Sequence, residues 1–136
     1  MILMDLGEEY VAVRTHVTNL DFTSSSNGGI PFFETIIRYL GGLLSAYSIT
    51  EDRIFLSAAD DLAKALLPAF DTPSHLPAFA VELSDSASAI NWHLGKLLLA
   101  EIGSFQLEYK YLAHLTQRPS YFTRVSEYIH VERSLT

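Results

Sequence analysis

Between Pro31 and Tyr47 the chain reads PFFETIIRYLGGLLSAY, and Phe32, Phe33, Ile36, Ile37, Tyr39, Leu40, Leu43, Leu44 and Tyr47 would surround most of the circumference of a helix. A helix that is apolar nearly all round has to be buried. Pro31 suits a first helical position, where its missing N–H is no loss, so a helix over about Pro31 to Ser48 is expected. Within it Glu34, Arg38, Gly41 or Gly42, and Ser45 recur at offsets of four, seven or eight, and eleven, which is a single helical stripe. The sequence therefore predicts a narrow polar seam along a buried helix.

Four further segments carry a helical period, and no stretch alternates with period two for long enough to suggest a sheet, so the expected class is all-α, built of helical hairpins. The first helix is expected over about Glu8 to Leu20, followed by the loop DFTSSSNGG. The third, about Glu51 to Leu67, turns Phe55, Ala59, Leu62 and Leu66 to one side and Arg53, Ser57, Asp60, Asp61 and Lys64 to the other, as an outer helix does. Pro68 cannot continue its hydrogen-bond ladder, and Asp71 to Trp92, with Pro73, Pro77 and SDSAS, reads as a long loop.

The fourth helix, about Leu94 to Leu115, has a core stripe of Leu97, Leu98, Ile102, Phe105, Tyr109 and Leu112. On another face it carries Glu101, Ser104 and Glu108, with no Lys or Arg one turn from either acid. Gly103 inside that helix costs about 1 kcal/mol relative to Ala, which predicts a close neighbour there. A fifth helix is expected over about Ser120 to Arg133. There is no repeated consensus of fixed period, and α-solenoids and α/α barrels fit this order of hairpins equally well.

Bulk properties exclude several classes of function. The 136 residues suit one domain, and 9 basic against 16 acidic residues give a net charge of -7 with no cluster of Lys and Arg to track a phosphate backbone, so nucleic acid is not an expected partner. The absence of cysteine removes disulfides, thiolate metal sites and a cysteine nucleophile from this chain. The opening apolar run ends at Asp5, short of the roughly 7–15 residues of a secretion signal, so no targeting segment is expected here. The histidines form no i, i+4 metal pair, SSSNGG lacks the Lys of a phosphate loop, and there is no G-x-S-x-G elbow.

Glu34 and Arg38 admit two readings. As an exposed i, i+4 pair they would contribute roughly 0.2–0.5 kcal/mol. Set among Phe32, Phe33, Ile37 and Leu40 they would instead be partly desolvated, and a wet cavity would resolve the cost of burying them. Glu101 and Glu108 divide the same way, between a solvated helix face and carboxylates gathered at a polar centre. Acids, an arginine and aromatic rings around a cavity suit sugar recognition, because carboxylates accept bonds from hydroxyls and rings cover the apolar faces of sugars.

Three segments resemble, in order, motifs of glycoside hydrolase family 47, the class I α-1,2-mannosidases that trim N-linked glycans. FFETIIRYLGGLLSAY is similar to F-E-T-T-I-R-x-L-G-G-L-L-S-A-Y, DLAKALLPAFDTPSHLP to D-L-A-x-x-L-L-P-A-F-x-T-P-x-G-I-P, and LLLAEIGSFQLEYKYLAHLT to I-L-A-E-I-G-T-L-Q-L-E-F-x-Y-L-S-x-L-T. LMDLGEEY and NLDF resemble the preceding I-M-G-L-x-x-E-Y and N-L-D-F, so the resemblance runs over nearly the whole chain. Ile36 stands where the family has its second Thr, and His75 where it has a turn glycine.

The resemblance implies part of an (α/α)7 barrel, incomplete within residues 1–136, and inverting hydrolysis of terminal α-1,2-linked mannose from high-mannose N-glycans or glycoproteins. It assigns Glu34 as general acid, Arg38 as a contact to the glycan, Glu101 to the mannose site and Glu108 as a recurrent acid of the site. It also implies calcium, whose threonine ligand and partner acids match nothing in this chain, and a location in the endoplasmic reticulum, in the Golgi or outside the cell. Two expectations follow for the chain by itself: negligible hydrolysis, and self-association through an apolar flank that further helices would cover. A different class, a non-catalytic helical module binding glycoprotein or protein through the same seam, remains open on the residues alone.

Overall fold

The structure, a computed structural model, describes residues 4, 6–23, 29–74, 76–83, 88–90 and 99–134. Its elements are α1 (Gly7–Thr18), β1 (Ile30–Pro31), α2 (Phe32–Thr35), a π-helical turn (Ile36–Leu40), α3 (Gly41–Thr50), α4 (Arg53–Leu66), a 3-10 turn (Leu67–Phe70), β2 (Ala80–Glu82), β3 (Ser88–Ile90), α5 (Leu99–Gly103), α6 (Gln106–Thr116) and α7 (Pro119–Ser134). The expected all-α class holds in its main feature, which is helices paired into hairpins.

The core lies where α3, α4, α6 and α7 meet. Phe32, Phe70, Phe105, Tyr109 and Tyr121 form a chain of ring contacts through it, with centroids 5.2–5.8 Å apart. Rings at these separations and tilts add attraction beyond simple burial. The Tyr109 hydroxyl, fully buried, donates to the Ala63 carbonyl of α4 at 3.1 Å. That donor matters because α4 tightens at its end, where the Leu67 N–H reaches back only to Lys64.

Two hairpins, α3–α4 and α6–α7, are built alike. The hydroxyls of Thr50 and Thr116 each donate to the carbonyl four residues back, Ala46 and Leu112, both at 2.7 Å. The next residues, Glu51 and Gln117, are left-handed at φ 56° and 55°, and the outer helix starts two residues later. Phe55 and Tyr121 then occupy matching buried places on the outer helices. The likeness lies in cap geometry and burial rather than in a shared string of residues, so the search for a repeated consensus misses it. Asp52 caps α4 by accepting from the Ile54 N–H at 3.1 Å, and the same carboxylate takes Arg14 Nε at 2.6 Å and the Tyr10 hydroxyl at 3.2 Å, which fastens α1 to the hairpin.

Several expectations are corrected. Pro31 is not the first helical residue; it lies in β1, extended at φ -60° and ψ 119°, and precedes the helix. The stretch read as one long loop contains β2 and β3, which pair antiparallel with each other and, through β2, with β1. Strands of two or three residues are too short to show an alternating pattern.

As expected, the α-helix ends before Pro68, at Leu66, and Pro68 lies in the 3-10 turn that follows. The expected fourth helix is two, α5 and α6, separated at Ser104 and Phe105. Gly103 is the last residue of α5, and among the described residues a Cβ there would meet nothing within 4 Å, so the expected close neighbour is not found among them and the glycine marks a helix end. Leu97 and Leu98 lie outside the described residues, as do Ser24, Ser25, Ser26, His75 and His93.

The α2–π–α3 helix is not buried all round. Phe32, Ile36, Leu40, Leu43 and Leu44 enter the core, whereas Ile37 and Tyr39 are 40% and 63% exposed. A π turn explains the outcome. The N–H of Gly41 reaches the Ile36 carbonyl five residues back, so Ile36 and Leu40 both face inward and the three residues between them face out.

Candidate functional site

Glu34, Arg38, Gly42 and Ser45 are all exposed on the side of the helix away from Phe32, Ile36, Leu40 and Leu44. The predicted seam therefore exists, and it follows the face that this chain's own core leaves free. Arg38 Nε donates to Glu34 Oε2 at 2.5 Å, with the side chains 69% and 47% exposed. Partial desolvation of this pair, expected from its apolar neighbours, is not found among the described residues, since Ile37 and Tyr39 turn outward beside it. A pair this exposed is screened by solvent and holds no more firmly than any i, i+4 surface pair. The hydrogen bond to Glu34, and then the charge of that carboxylate, push Arg38 above its ordinary value, so the guanidinium stays a fixed cation on this face.

Glu108 joins the seam from α6. It borders a groove of about 440 Å³ in which Gly41, Ser45 and Ser48 of α3 face Glu108 and Tyr111, floored by Leu44. A Cβ at Gly41 would stand 3.8 Å from Glu108 Oε1, an ordinary contact distance, so the carboxylate lies against α3 at this position. Its other oxygen, Oε2, is buried without a hydrogen-bond partner among the described residues. A buried carboxylate oxygen demands a donor, such as a hydroxyl, an N–H or water.

Glu101 stands on the short helix α5 and is half-buried. It does not share a helix face with Glu108, because the break at Ser104 and Phe105 separates them. Among the described residues no hydrogen bond or ion pair joins it to Glu34, Arg38 or Glu108. Ser48 and Tyr111, which border the groove, were not singled out in the sequence. Their only signal is position: Ser48 is one turn beyond Ser45 and Tyr111 one turn beyond Glu108.

Calcium takes six to eight oxygen ligands, and among the described residues no three of His, Cys, Asp and Glu are grouped as a metal site would need. The described residues alone do not fit that ion. The same residues include no helix long and apolar enough to cross a membrane.

Comparison with known proteins gives a consistent result. Residues 1–134 match the family model of glycosyl hydrolase family 47. A mannosyl-oligosaccharide 1,2-alpha-mannosidase of Caenorhabditis elegans is 36% identical over 93% of this chain and 22% of its own length. An endoplasmic reticulum mannosyl-oligosaccharide 1,2-alpha-mannosidase of Schizosaccharomyces pombe is 37% identical over 90% of this chain and 23% of its own. The solved structure of an alpha-1,2-mannosidase from Trichoderma reesei superposes with a TM-score of 0.83 at 33% identity, over 92% of this chain and 28% of that one. The chain thus spans less than a third of the length of each of these proteins.

Proposed function

Because this chain belongs to glycosyl hydrolase family 47, with helical hairpins that form part of an (α/α)7 barrel, we propose that its polar seam is one wall of a site that removes terminal α-1,2-linked mannose from high-mannose N-linked oligosaccharides. The observation that carries this reading is the placement of Glu34 and Arg38 on the one face of the α2–π–α3 helix that the chain's own core does not use.

In an inverting hydrolysis one carboxylic acid protonates the leaving oxygen while a second carboxylate, about 6.5–9.5 Å away, activates water on the other side of the sugar. Glu34 is the proton donor in this scheme. Arg38 donates to glycan hydroxyls and holds the Glu34 carboxyl in orientation. Glu101 and Glu108 accept from mannose hydroxyls, and the Oε2 of Glu108, without a partner among the described residues, is the acceptor with most to gain from one. The water-activating carboxylate and the ligands of the calcium expected for the family lie on other residues, so no step here passes through the metal. For the 136 residues by themselves the proposal is glycan contact without measurable turnover. The proposed setting is the secretory pathway, in keeping with the endoplasmic reticulum relative.

A graft tests the reading. This chain replaces the matching segment of the Trichoderma reesei enzyme, and release of mannose from α-1,2-mannobiose is measured. The expected result is turnover by the graft, a loss of about a thousandfold or more in kcat on Glu34→Gln, and none by the chain alone. A folded graft that is inactive, or one that Glu34→Gln leaves unchanged, overturns the assignment.

A further inference from the structure

The far end of the two hairpins gathers cations rather than acids. Arg53 opens α4 and Arg118 immediately precedes α7, and both border a pocket of about 430 Å³ together with Tyr47, Ser57, Asp60 and Thr116. At 1.5 Å per residue the helical run from Glu34 to Thr50 is about 24 Å long, so this pocket stands well away from the proposed proton donor. It shares no residue with the groove that Glu108 borders.

Although the chain carries a net charge of -7, positive charge is left over here. Asp60, the acid that lines the pocket, takes the Tyr121 hydroxyl at 2.7 Å and Lys64 Nζ at 2.7 Å, whereas Arg118 Nη2 reaches it at 3.4 Å. Arg118 is thus the loosest of three groups on one carboxylate. Of the neighbouring acids, Asp52 is committed to Arg14 and to the cap of α4, and Glu51 does not border the pocket. Arg53 makes no ion pair or hydrogen bond among the described residues, and the hydroxyls of Tyr47 and Ser57 make none among them either.

A guanidinium presents a planar fork of N–H donors that matches two phosphate oxygens, and hydroxyls beside it can donate to the others. Four donor side chains border this pocket and two of them are cations, which complements a phosphate rather than a neutral sugar. We propose that the pocket binds a phosphate group, clamped by Arg53 and Arg118, with Tyr47 and Ser57 as neutral donors. On binding, Arg118 exchanges its 3.4 Å contact for the phosphate, and Asp60 keeps Lys64 and Tyr121. The volume lies in the range of roughly 300–1,000 Å³ typical of small-molecule sites, so a phosphate monoester such as a sugar phosphate fills it better than the free ion. The proposal is independent of the mannosidase reading, because no residue of the polar seam takes part.

Binding is measured on the 136-residue chain at about pH 7.5, by calorimetric titration and as a rise in Tm. The probes are inorganic phosphate and glucose 6-phosphate, with sodium chloride at equal ionic strength as the blank. Glucose 6-phosphate is expected to bind and, at ten times its Kd, to raise the Tm by about 3 °C or more. Arg53→Ala is the sharpest variant, because Arg53 has no partner among the described residues whose loss would disturb the fold. It should weaken binding about tenfold or more, and Arg53→Lys, which keeps the charge without the fork, about threefold. Arg124→Ala, which removes an arginine outside the pocket, should leave binding unchanged. Tighter binding of glucose 6-phosphate than of phosphate names a monoester as the ligand, equal binding names the free ion, and both uphold the site. No binding of either probe overturns it. So does a rise in Tm that sodium chloride matches, or binding that Arg53→Ala leaves intact, since either is general screening by salt.

Discussion

The Tyr121 hydroxyl donates to Asp60 Oδ1 at 2.7 Å, joining the outer helix of one hairpin to the outer helix of the other. Asp60 Oδ2 takes Lys64 Nζ at 2.7 Å and Arg118 Nη2 at 3.4 Å, and the carboxylate is only 13% exposed. Burial pushes Asp60 up, but Lys64, Tyr121 and Arg118 together outweigh it and hold the group below the ordinary carboxylate range. A carboxylate depressed in the folded state stabilises above its unfolded value and loses that contribution as pH falls through its lower, folded one. Asp60→Asn is expected to lower unfolding free energy at neutral pH by about 1–3 kcal/mol and to flatten the decline in stability below about pH 4. Urea melts from pH 2 to 7 on both proteins measure this, and parallel curves would contradict it.

Glu51 and Gln117 end the inner helices in the left-handed region, where a side chain other than glycine is strained by roughly 1–2 kcal/mol. Glycine removes that strain but also loosens the unfolded chain. Glu51→Gly and Gln117→Gly should each stabilise by about 0.5–1 kcal/mol, and the two should add because the turns share no partner. Thermal melts of the single and double variants decide the matter.

What the sequence revealed, and what it hid, follows from the range of the interactions involved. The start of α4 was readable to within two residues from its two-faced pattern, and Phe105, Tyr109 and Leu112 were readable as core, because a period of 3.6 repeats over several turns. Glu34 and Arg38 were legible as a seam for the same reason. The sheet was not, because its strands are only two and three residues long and are held by partners far along the chain, as in the pairing of Ile30 with Val81. The meeting of Glu108 with Gly41 is likewise a tertiary event with no local mark. The π turn did leave a mark, four-residue spacing of the anchors, but four and three alternate so commonly in helices that one surplus residue passes unnoticed.

Tyr109 is fully buried, and burial first, then the neighbouring Tyr121, push its hydroxyl well above the usual tyrosine range. A group raised in this way stabilises fully below its unfolded value of about 10 and progressively loses that contribution as pH rises beyond it. Tyr109→Phe leaves the Ala63 carbonyl without this donor and should cost about 1 kcal/mol at pH 7. It should also reduce the fall in stability between about pH 10 and 12, because the variant has no buried phenol to ionise. Denaturant midpoints on either side of pH 10 report both effects.

Leu107 is 76% exposed and Ile49 52% exposed on the two sides of the groove between α3 and α6. Neither side chain is held by this chain's core, so replacing either with serine removes little that stabilises the monomer. In an associated form the same side chains would leave water, and each 100 Å² of apolar surface covered contributes roughly 2.5 kcal/mol. The chain is therefore expected to associate at micromolar concentrations through this face. The double variant Ile49→Ser, Leu107→Ser should shift sedimentation toward monomer while leaving the Tm within a few degrees, because association and folding then draw on separate apolar surfaces. Equal sedimentation of parent and variant would move the sticky surface elsewhere, to the exposed Val11 and Val13 of α1 or Phe122 of α7. A large drop in Tm would mean that Leu107 and Ile49 support the monomer after all.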